Sequence, residues 1–546
     1  MQEINIAGRV FEIKQTAADR FVSWISPIHG ARRQKARLME ALTGAYLGAS
    51  RSRRQTKQWI TNPGDADSDT VYDLPTLRER SRDQVRNAPI ATGAIGLSVT
   101  HTVGTGLKLQ SRIDREALGM DDEVADAWEE ETEREFQMWA NSADCDVART
   151  LPFVDQQSLA FRQTLENGDV FVLTPRRGRG PYSLQLQLIE ADRVCNKDRA
   201  SDKEGLIQGV EKDAQTGAPI AYHIMNQNPD CPYVSPKDGY KWERVSAFGD
   251  RTGLRNVLHL YQTLRPGQTR GIPFLAPVIE SLKMIDRYTE AELMAAVVAA
   301  LFTVFLETEG GGVDFDLTTG MATETGATTS DDDIKLGNGA IVGLAKGQKI
   351  SIADPKRPNT SFDPFIQAIL RQIGTALGIP YEVLMRYFSS SYSASRAALL
   401  EAWRFFKTQR GWLARSFCQP VYEIWLFEAI ASGRIAAPGY FRDPMIRAAY
   451  NGAVWIGDSP GYIDPQKDAD TSVVLVETGF STMDEQTTLL TGGDFQTNMR
   501  IIRKERKWLQ DVGLWMPEWR REIMKTRRQA TTKEEKALPA DQGGEE

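Results

Sequence analysis

The spacing of apolar residues divides the chain into a helical first part, a strand-rich middle and a helical remainder broken by one polar excursion. Leu77–Val99 keeps helical spacing through Ala91, Ile95 and Leu97, and Asn87–Pro89 predicts a break within it, because the residue before a proline is pushed out of helical geometry. Asp121–Trp139 reads as an amphipathic helix: Val124, Trp128, Phe136 and Trp139 fall on one face, and Glu129, Glu130, Glu131, Glu133 and Glu135 form a solvated face opposite. Phe153–Glu166 predicts another helix, stopped by the turn Asn167-Gly168-Asp169. From Val170 to about Tyr261 the period shortens to that of strands. VFVLTP, YSLQLQLIE, GLIQGVEKD, PIAYHIMN and NVLHLY are short strand candidates separated by turns such as DAQTGAP.

Past the loop Arg265–Gln268, helical spacing resumes at Pro273, a residue tolerated in a first helical turn, and runs to Leu306. Residues 310–340 are rich in Gly, Thr and Asp; short strands at Ala340–Leu344 and Gln348–Ser351 follow. Ser361–Gly378 predicts a helix ended by Gly378-Ile379-Pro380. Met385–Ser393, MRYFSSSYS, is an aromatic and serine-rich loop, and Ser391–Ile430 predicts a helix of about 60 Å at 1.5 Å per residue, with a kink or break at Pro420. Residues 431–470 read as loops around Trp455, and Gln466–Val476 and Met483–Leu490 as helices. A basic tail from Asn498 ends in TTKEEKALPADQGGEE, a disordered composition.

At about 100–200 residues per domain, 546 residues imply several domains. The net charge of −7 excludes a generally basic nucleic-acid binder, so any DNA contact is local or weak. Residues 1–70 carry a basic run (Arg32, Arg33, Lys35, Arg37, Arg51, Arg53, Arg54, Lys57), readable either as a solvated arm or as an arm that meets acidic partners or nucleic acid. Cys145, Cys195, Cys231 and Cys418 form no CxxC pair and read as reduced, mostly buried thiols of a cytosolic protein. No two of His29, His101, His223 and His259 have metal-ligand spacing, so no metal or other cofactor is expected. The N-terminus is not a secretory signal. The most apolar run, Leu293–Leu306, is shorter than the ~20 residues a bilayer needs, so no membrane partner is expected.

Motifs for catalysis are missing. Gly343–Lys349, GLAKGQK, has the wrong spacing for a phosphate-binding loop and no Ser or Thr after the lysine. There is no G-x-S-x-G elbow and no H-E-x-x-H. The runs Asp121–Asp122 and Asp331–Asp333 are weak candidates for a nuclease Mg²⁺ site, because such sites gather carboxylates through the fold. The chain is expected not to be an enzyme.

Several stretches resemble the lambda-like portal proteins of tailed bacteriophages: RDQVRNAPIATGAI at Arg82–Ile95 with GTGLKL at Gly104–Leu109; LIEADRV at Leu188–Val194 with Gly209–Asp213; the long His259–Ala291; and Gly378–Lys407, with SYSASRAALLEAWRFFK. The resemblance covers about residues 80–480. It implies an α+β portal fold, with a mixed α/β wing, a helical stem, a small α/β clip and an α-helical crown, assembled as a ring of twelve. The implied plan is a flexible basic arm at 1–70, wing at 71–264, first stem helix at 265–301, clip at 302–357, second stem helix at 358–380, tunnel loop and long wing helix at 381–464, crown at 465–530 and a disordered tail at 531–546.

The implied function is a channel at one capsid vertex through which double-stranded DNA is packaged and ejected. The implied partners are further copies of the chain, terminase large subunit, the head–tail connector or adaptor, and major capsid and scaffolding proteins, with assembly in the host cytoplasm and residence in the virion. A DNA-packaging or nuclease enzyme and a head–tail adaptor are the alternatives. The first lacks a phosphate-binding loop, and the second is usually much smaller. The loop Arg386, Tyr387, Phe388, Ser389, Ser390, Ser391 and Tyr392 would lie near DNA. Lys283 and Arg287 on the stem, like Arg386, would either face the channel or form ion pairs at the surface or between subunits. Leu301, Phe302 and Phe305, in the apolar end of the stem helix, would pack between subunits or in a core.

Overall fold

The computed structural model describes residues 2–6, 9–13, scattered positions from 21 to 61, and then 63–178, 180–229, 239–300, 304–308, 348–352, 362–388, 391–461 and 465–513. The chain divides into two units, Met1–Asp69 and Thr70–Glu546. In the first, β1 (Gln2–Ile6) and β2 (Arg9–Ile13) pair antiparallel, Gln2 opposite Ile13. This hairpin lies at the start of the stretch read as a flexible basic arm.

In the second unit the opening helix is cut where the sequence predicts. α1 (Leu74–Asn87) stops at Ala88, held extended at φ −100° and ψ 114°, and Pro89 begins α2 (Pro89–Thr102), where its missing N–H costs nothing. β3 (Lys108–Ser111) leads to α3 (Asp122–Ala140) and α4 (Phe153–Asn167). Trp128, Phe136 and Trp139 of α3 are buried. Phe136 is the hub of an aromatic core, with ring centroids 5.1 Å from Trp425, 5.7 Å from Tyr422 and 5.9 Å from both Phe153 and Trp455. Val124, expected on the same face, is exposed, and Ala125 is buried in its place.

The strand-rich middle forms two antiparallel sheets. β4 (Asp169–Leu173) lies between β10 (Val257–Tyr261) and β5 (Gln187–Glu190). The other sheet runs β6 (Leu206–Ile207), β7 (Val210–Lys212), β8 (Pro219–Met225) and β9 (Trp242–Ser246) in chain order. Phe171, Ile189, Val210, Tyr222, Ile224 and Val257 close a separate core beneath them. β9 escapes the sequence pattern, because WERVS carries charges on what becomes a half-exposed strand.

α5 (Ile279–Ala300) is shorter than the helix read from the sequence. Residues 276–278 are a 3-10 turn, and the end of the apolar run is β11 (Val304–Thr308), paired antiparallel with β12 (Gln348–Ile352). A continuous apolar run carries no period to tell helix from strand; the β-branched and aromatic residues after Leu301 decide for strand. α6 (Phe362–Leu377) follows.

The long helix is a rod in sections: α7 (Tyr392–Leu413), one π-helical turn at Ala414–Cys418, and α8 (Gln419–Ala431). Pro420 cannot donate to a helical carbonyl, and the π turn just before it absorbs the mismatch, so the rod is distorted there rather than ended. The region read as loops contains a helix, Pro444–Tyr450, and β13 (Ala453–Ile456), which pairs with β3 from more than 300 residues earlier. α9 (Pro465–Glu477), α10 (Met483–Thr491) and α11 (Phe495–Asp511) complete the described chain. Cys145 and Cys418 are buried and Cys195 half-buried, all as free thiols; Cys231 lies outside the described residues. Among the described residues no helix is long and apolar enough to cross a membrane, and no group of three His, Cys, Asp or Glu side chains could hold a metal ion.

Candidate functional site

The segment that leads into α5 is riveted to the rest of the unit by one buried carboxylate. Asp169 is fully buried at the start of β4. Its oxygens accept from Arg270 Nε at 2.6 Å and Nη2 at 3.2 Å, from Arg78 Nη2 at 2.7 Å and from the Gly271 N–H at 3.3 Å. His259 Nε2 lies 3.1 Å from Oδ2; an ionised carboxylate can only accept, so this nitrogen carries the hydrogen. Arg270 spends its other donors on the carbonyls of Val194, Gln208 and Ala191, at 2.7–2.9 Å, and lies over the Phe171 ring at 5.1 Å. Arg78 donates to the Asn167 carbonyl at 2.9 Å and pairs with Asp192 at 3.2 Å. Burial alone would raise the pKa of Asp169. Arg270 and Arg78 override that, with the His259 hydrogen bond adding to them, and hold it far below the usual carboxylate range. Burial keeps His259 below its ordinary value, hence neutral.

Beside this cluster two backbones touch. Gly168, at φ +91°, ends α4, and Gly271 packs directly on it, while Phe274 N–H donates to the Leu165 carbonyl at 2.8 Å. Neither glycine could carry a Cβ without meeting the other's carbonyl.

α5 then buries Leu282 and Ile285, and its Tyr288 stacks on Phe362 of α6 at 5.5 Å and meets Phe365 edge-on at 5.2 Å. Lys283 and Arg287 are exposed, among exposed Met284, Leu293, Met294 and Val297. α6 ends at Gly378, φ +68°, with Ile379 N–H returning to the Gly374 carbonyl at 2.9 Å, a glycine cap of the usual left-handed kind. The short helix Tyr381–Leu384 repeats that ending with Arg386 in the glycine position: φ is +54°, and Tyr387 N–H donates to the Glu382 carbonyl at 3.0 Å. Arg386 acts electrostatically on His101, whose pKa is lowered first by burial and then by Arg386 and Arg410. Arg410 donates to the carbonyls of Thr102 and His101 at 3.0 Å, capping α2.

Of the remaining loop residues, Tyr387 and Phe388 are exposed, Ser389 and Ser390 lie outside the described residues, and Ser391 caps α7, its Oγ accepting from Ala394 N–H at 3.4 Å. Tyr392, where the expected loop and the predicted helix overlap, is the first residue of α7 and is exposed. Leu301 and Phe302 lie outside the described residues; Phe305 is on β11, not on a helix, and its side chain is not described. Because a non-glycine residue pays for left-handed geometry, Arg386→Gly is expected to raise the unfolding free energy by about 0.5–1 kcal/mol. Urea denaturation of the two proteins measures it, and a loss of stability would show that the arginine side chain contributes more than its backbone strain costs.

Over most of this framework the sequence matches a known family. The model for the lambda family of phage portal proteins covers residues 52–410, more than half of the chain. The chain belongs to that family. Portal protein B of Escherichia phage lambda is 26% identical over 514 residues, 90% of this chain and 95% of the relative. The portal protein of Escherichia phage N15 is 26% identical over 495 residues, 85% of this chain and 90% of the relative. A probable portal protein of a Halomonas phage is 27% identical over 459 residues. Among solved structures, a chain from the neck of a native GTA particle, computed with C12 symmetry, aligns with 12% identity and a TM-score of 0.41 over 76% of this chain and 92% of that chain. The relatives are named as portal proteins, none of them as an enzyme.

Membership gives the exposed helices and loop a context, whereas the Asp169 cluster holds the approach to α5. Sequence reasoning misses that cluster. Asp169 reads as part of a turn, and Arg270 as part of a loop exit, although Arg270 lies in His259–Ala291, one of the stretches that carry the family resemblance. A lone Arg-Gly two residues before a proline is the available signal.

Proposed function

We propose that this portal protein closes into a ring of twelve whose central channel passes double-stranded DNA during packaging and ejection. In this reading 71–264 is the wing, α5 and α6 are the stem, the segment between them is the clip that docks terminase large subunit and later the head–tail connector, and α9–α11 are the crown. Capsid and scaffolding proteins surround the ring, which assembles in the host cytoplasm.

The observation that carries the proposal is the face of α5. Its inner side is buried against the same chain, yet Leu293 is 64% exposed, Met294 58% and Val297 47%, with Phe365 of α6 at 51%. Exposed apolar side chains of this kind favour association, and a heterologous contact that closes makes a ring. The charge supports the same reading. Twelve chains of −7 each carry about −84, which disfavours adhesion of phosphates to the ring and lets DNA slide. Tyr387, Phe388 and Tyr392 would then lie nearest the DNA, and Lys283, Arg287 and Arg386 would be the few basic groups available to it.

Negative-stain microscopy of the purified protein tests this. Rings with a central channel are expected from the wild type, and monomers from the double variant Leu293→Asp, Val297→Asp. Rings that form as readily in the variant would remove the α5 face from the interface, and a wild type that is monomeric over a range of salt would end the ring reading.

A further inference from the structure

The family match ends at residue 410, before the last three described helices. These helices have almost no core of their own: Ser472 is the buried residue of α9, and α10 and α11 have none among the described residues. What holds α10 and α11 to the rest of the unit is a polar seam. Arg112, just after β3, pairs with Asp484 of α10; Gln110 of β3 donates to Asp494, which caps α11; and Arg500 of α11 pairs with Glu130 of α3 at 3.1 Å.

The sequence pattern assigns the carboxylates of α3 to a solvated face, and here the structure differs. Glu129 is buried and accepts from the Ile113 N–H at 2.9 Å; Glu133 is half-buried and accepts from the Ser111 N–H at 2.8 Å. Edge strand β3 leaves these backbone donors unpaired at its end, and α3 supplies the acceptors. The result is a cavity of about 10 Å³, room for a single water, lined by Ser111, Glu129, Glu133, Asp494 and Arg500 among others.

We propose that this seam is a proton-operated latch: α10 and α11 hold tightly to β3 and α3 while Glu133 is protonated, and loosen when it ionises against Asp494. Glu133 faces Asp494 and Arg500 from the C-terminal helices, Glu129 and Glu130 on its own helix, Arg112 from just after β3, and buried Tyr422 from α8; Arg115 and Arg112 also act on Glu129. Burial pushes the Glu133 carboxyl up to about 7, Asp494 and Glu129 push the same way, and the Ser111 N–H and Arg500 only partly oppose them. A carboxyl raised in the folded state binds more protons there than when released. Docking is therefore strongest at and below its ordinary value near 4.5, weakens as pH rises, and levels off above about 7.

Hydrogen exchange on the full-length protein tests the latch. Protection of the α11 amides, corrected for intrinsic exchange, should fall as pH rises from about 5 to about 7, by up to tenfold per unit. Glu133→Gln should keep α11 protected throughout, with no such slope, while the amides of α4 report that the unit is folded. Asp494→Asn keeps a good helix cap and removes the like charge, so the same fall should occur at lower pH. A wild type whose α11 protection ignores pH, or a Glu133→Gln variant with the wild-type slope, overturns the proposal.

Discussion

Asp169→Asn is expected to lower the unfolding free energy by about 3–5 kcal/mol, the cost of leaving buried guanidinium groups without their counter-charge. Arg270 is 1% exposed, Arg78 2% and Asp169 0%, so water cannot replace the lost partner. Urea denaturation near neutral pH measures the loss. A cost under about 1 kcal/mol would mean that the cluster relaxes into solvent. In a double-mutant cycle Asp169→Asn with Arg270→Met should cost less than the two singles together, because removing both charges leaves neither stranded.

The pH dependence has a definite sign. The folded pKa of Asp169 is depressed below its ordinary 3.8, so its contribution is fully present above about 3.8 and is lost as pH falls below that value toward the folded pKa. The stability gap between wild type and Asp169→Asn should therefore be constant near neutrality and narrow in acid. This runs opposite to the Glu133 seam, which strengthens on acidification.

Gly271→Ala is expected to cost about 3 kcal/mol or more, from overpacking against backbone rather than from a lost contact. An added Cβ would lie 2.0 Å from the Gly168 carbonyl oxygen and 2.8 Å from Tyr261 Cβ. Neither the end of α4 nor β10 is free to retreat, since both are tied to Asp169 and its partners. Gly253→Ala is the control: at φ +66° it has nothing within 4 Å, so it should cost only about 1 kcal/mol for left-handed geometry. Equal losses for the two variants, read from denaturation midpoints, would show that the Gly168–Gly271 approach is not tight. If the joint shifts α5, Gly271→Ala should also reduce the yield of rings.

Helices with a strong apolar period are legible in the amino-acid sequence. The face of α3 through Trp128, Phe136 and Trp139, the cut at Pro89 and the span of α6 follow from spacing and from proline geometry alone. Val124 falls on the wrong side of that reading because a helical face judged from spacing has a soft edge one residue wide; Ala125 lies nearer its centre. The end of α5 is illegible for a different reason, since an unbroken apolar run suits helix and strand alike.

Long-range pairing leaves no such mark. β13 exists because β3 offers it an edge, and Trp455 joins the Phe136 core only once that pairing is made. The inward turn of Glu129 and Glu133 likewise depends on unpaired N–H groups at the end of β3, which periodicity within α3 cannot report. The family resemblance marks the residues of the proposed channel site in the sequence, but not their settings: Tyr392 opens a helix, Arg386 holds a glycine conformation, and Phe305 is on a strand.

The sequence by itself thus determined the helical framework, the strand-rich middle and the portal family, because these depend on neighbours a few residues apart or on strings of residues read directly. Only the tertiary structure decided which charges are buried together. Arg78, Asp169, His259 and Arg270 are up to 192 residues apart, and their meeting depends on α1, β4, β10 and the approach to α5 converging at one point. A buried charge is tolerated only where the fold supplies its partner, and that partner has no local signature.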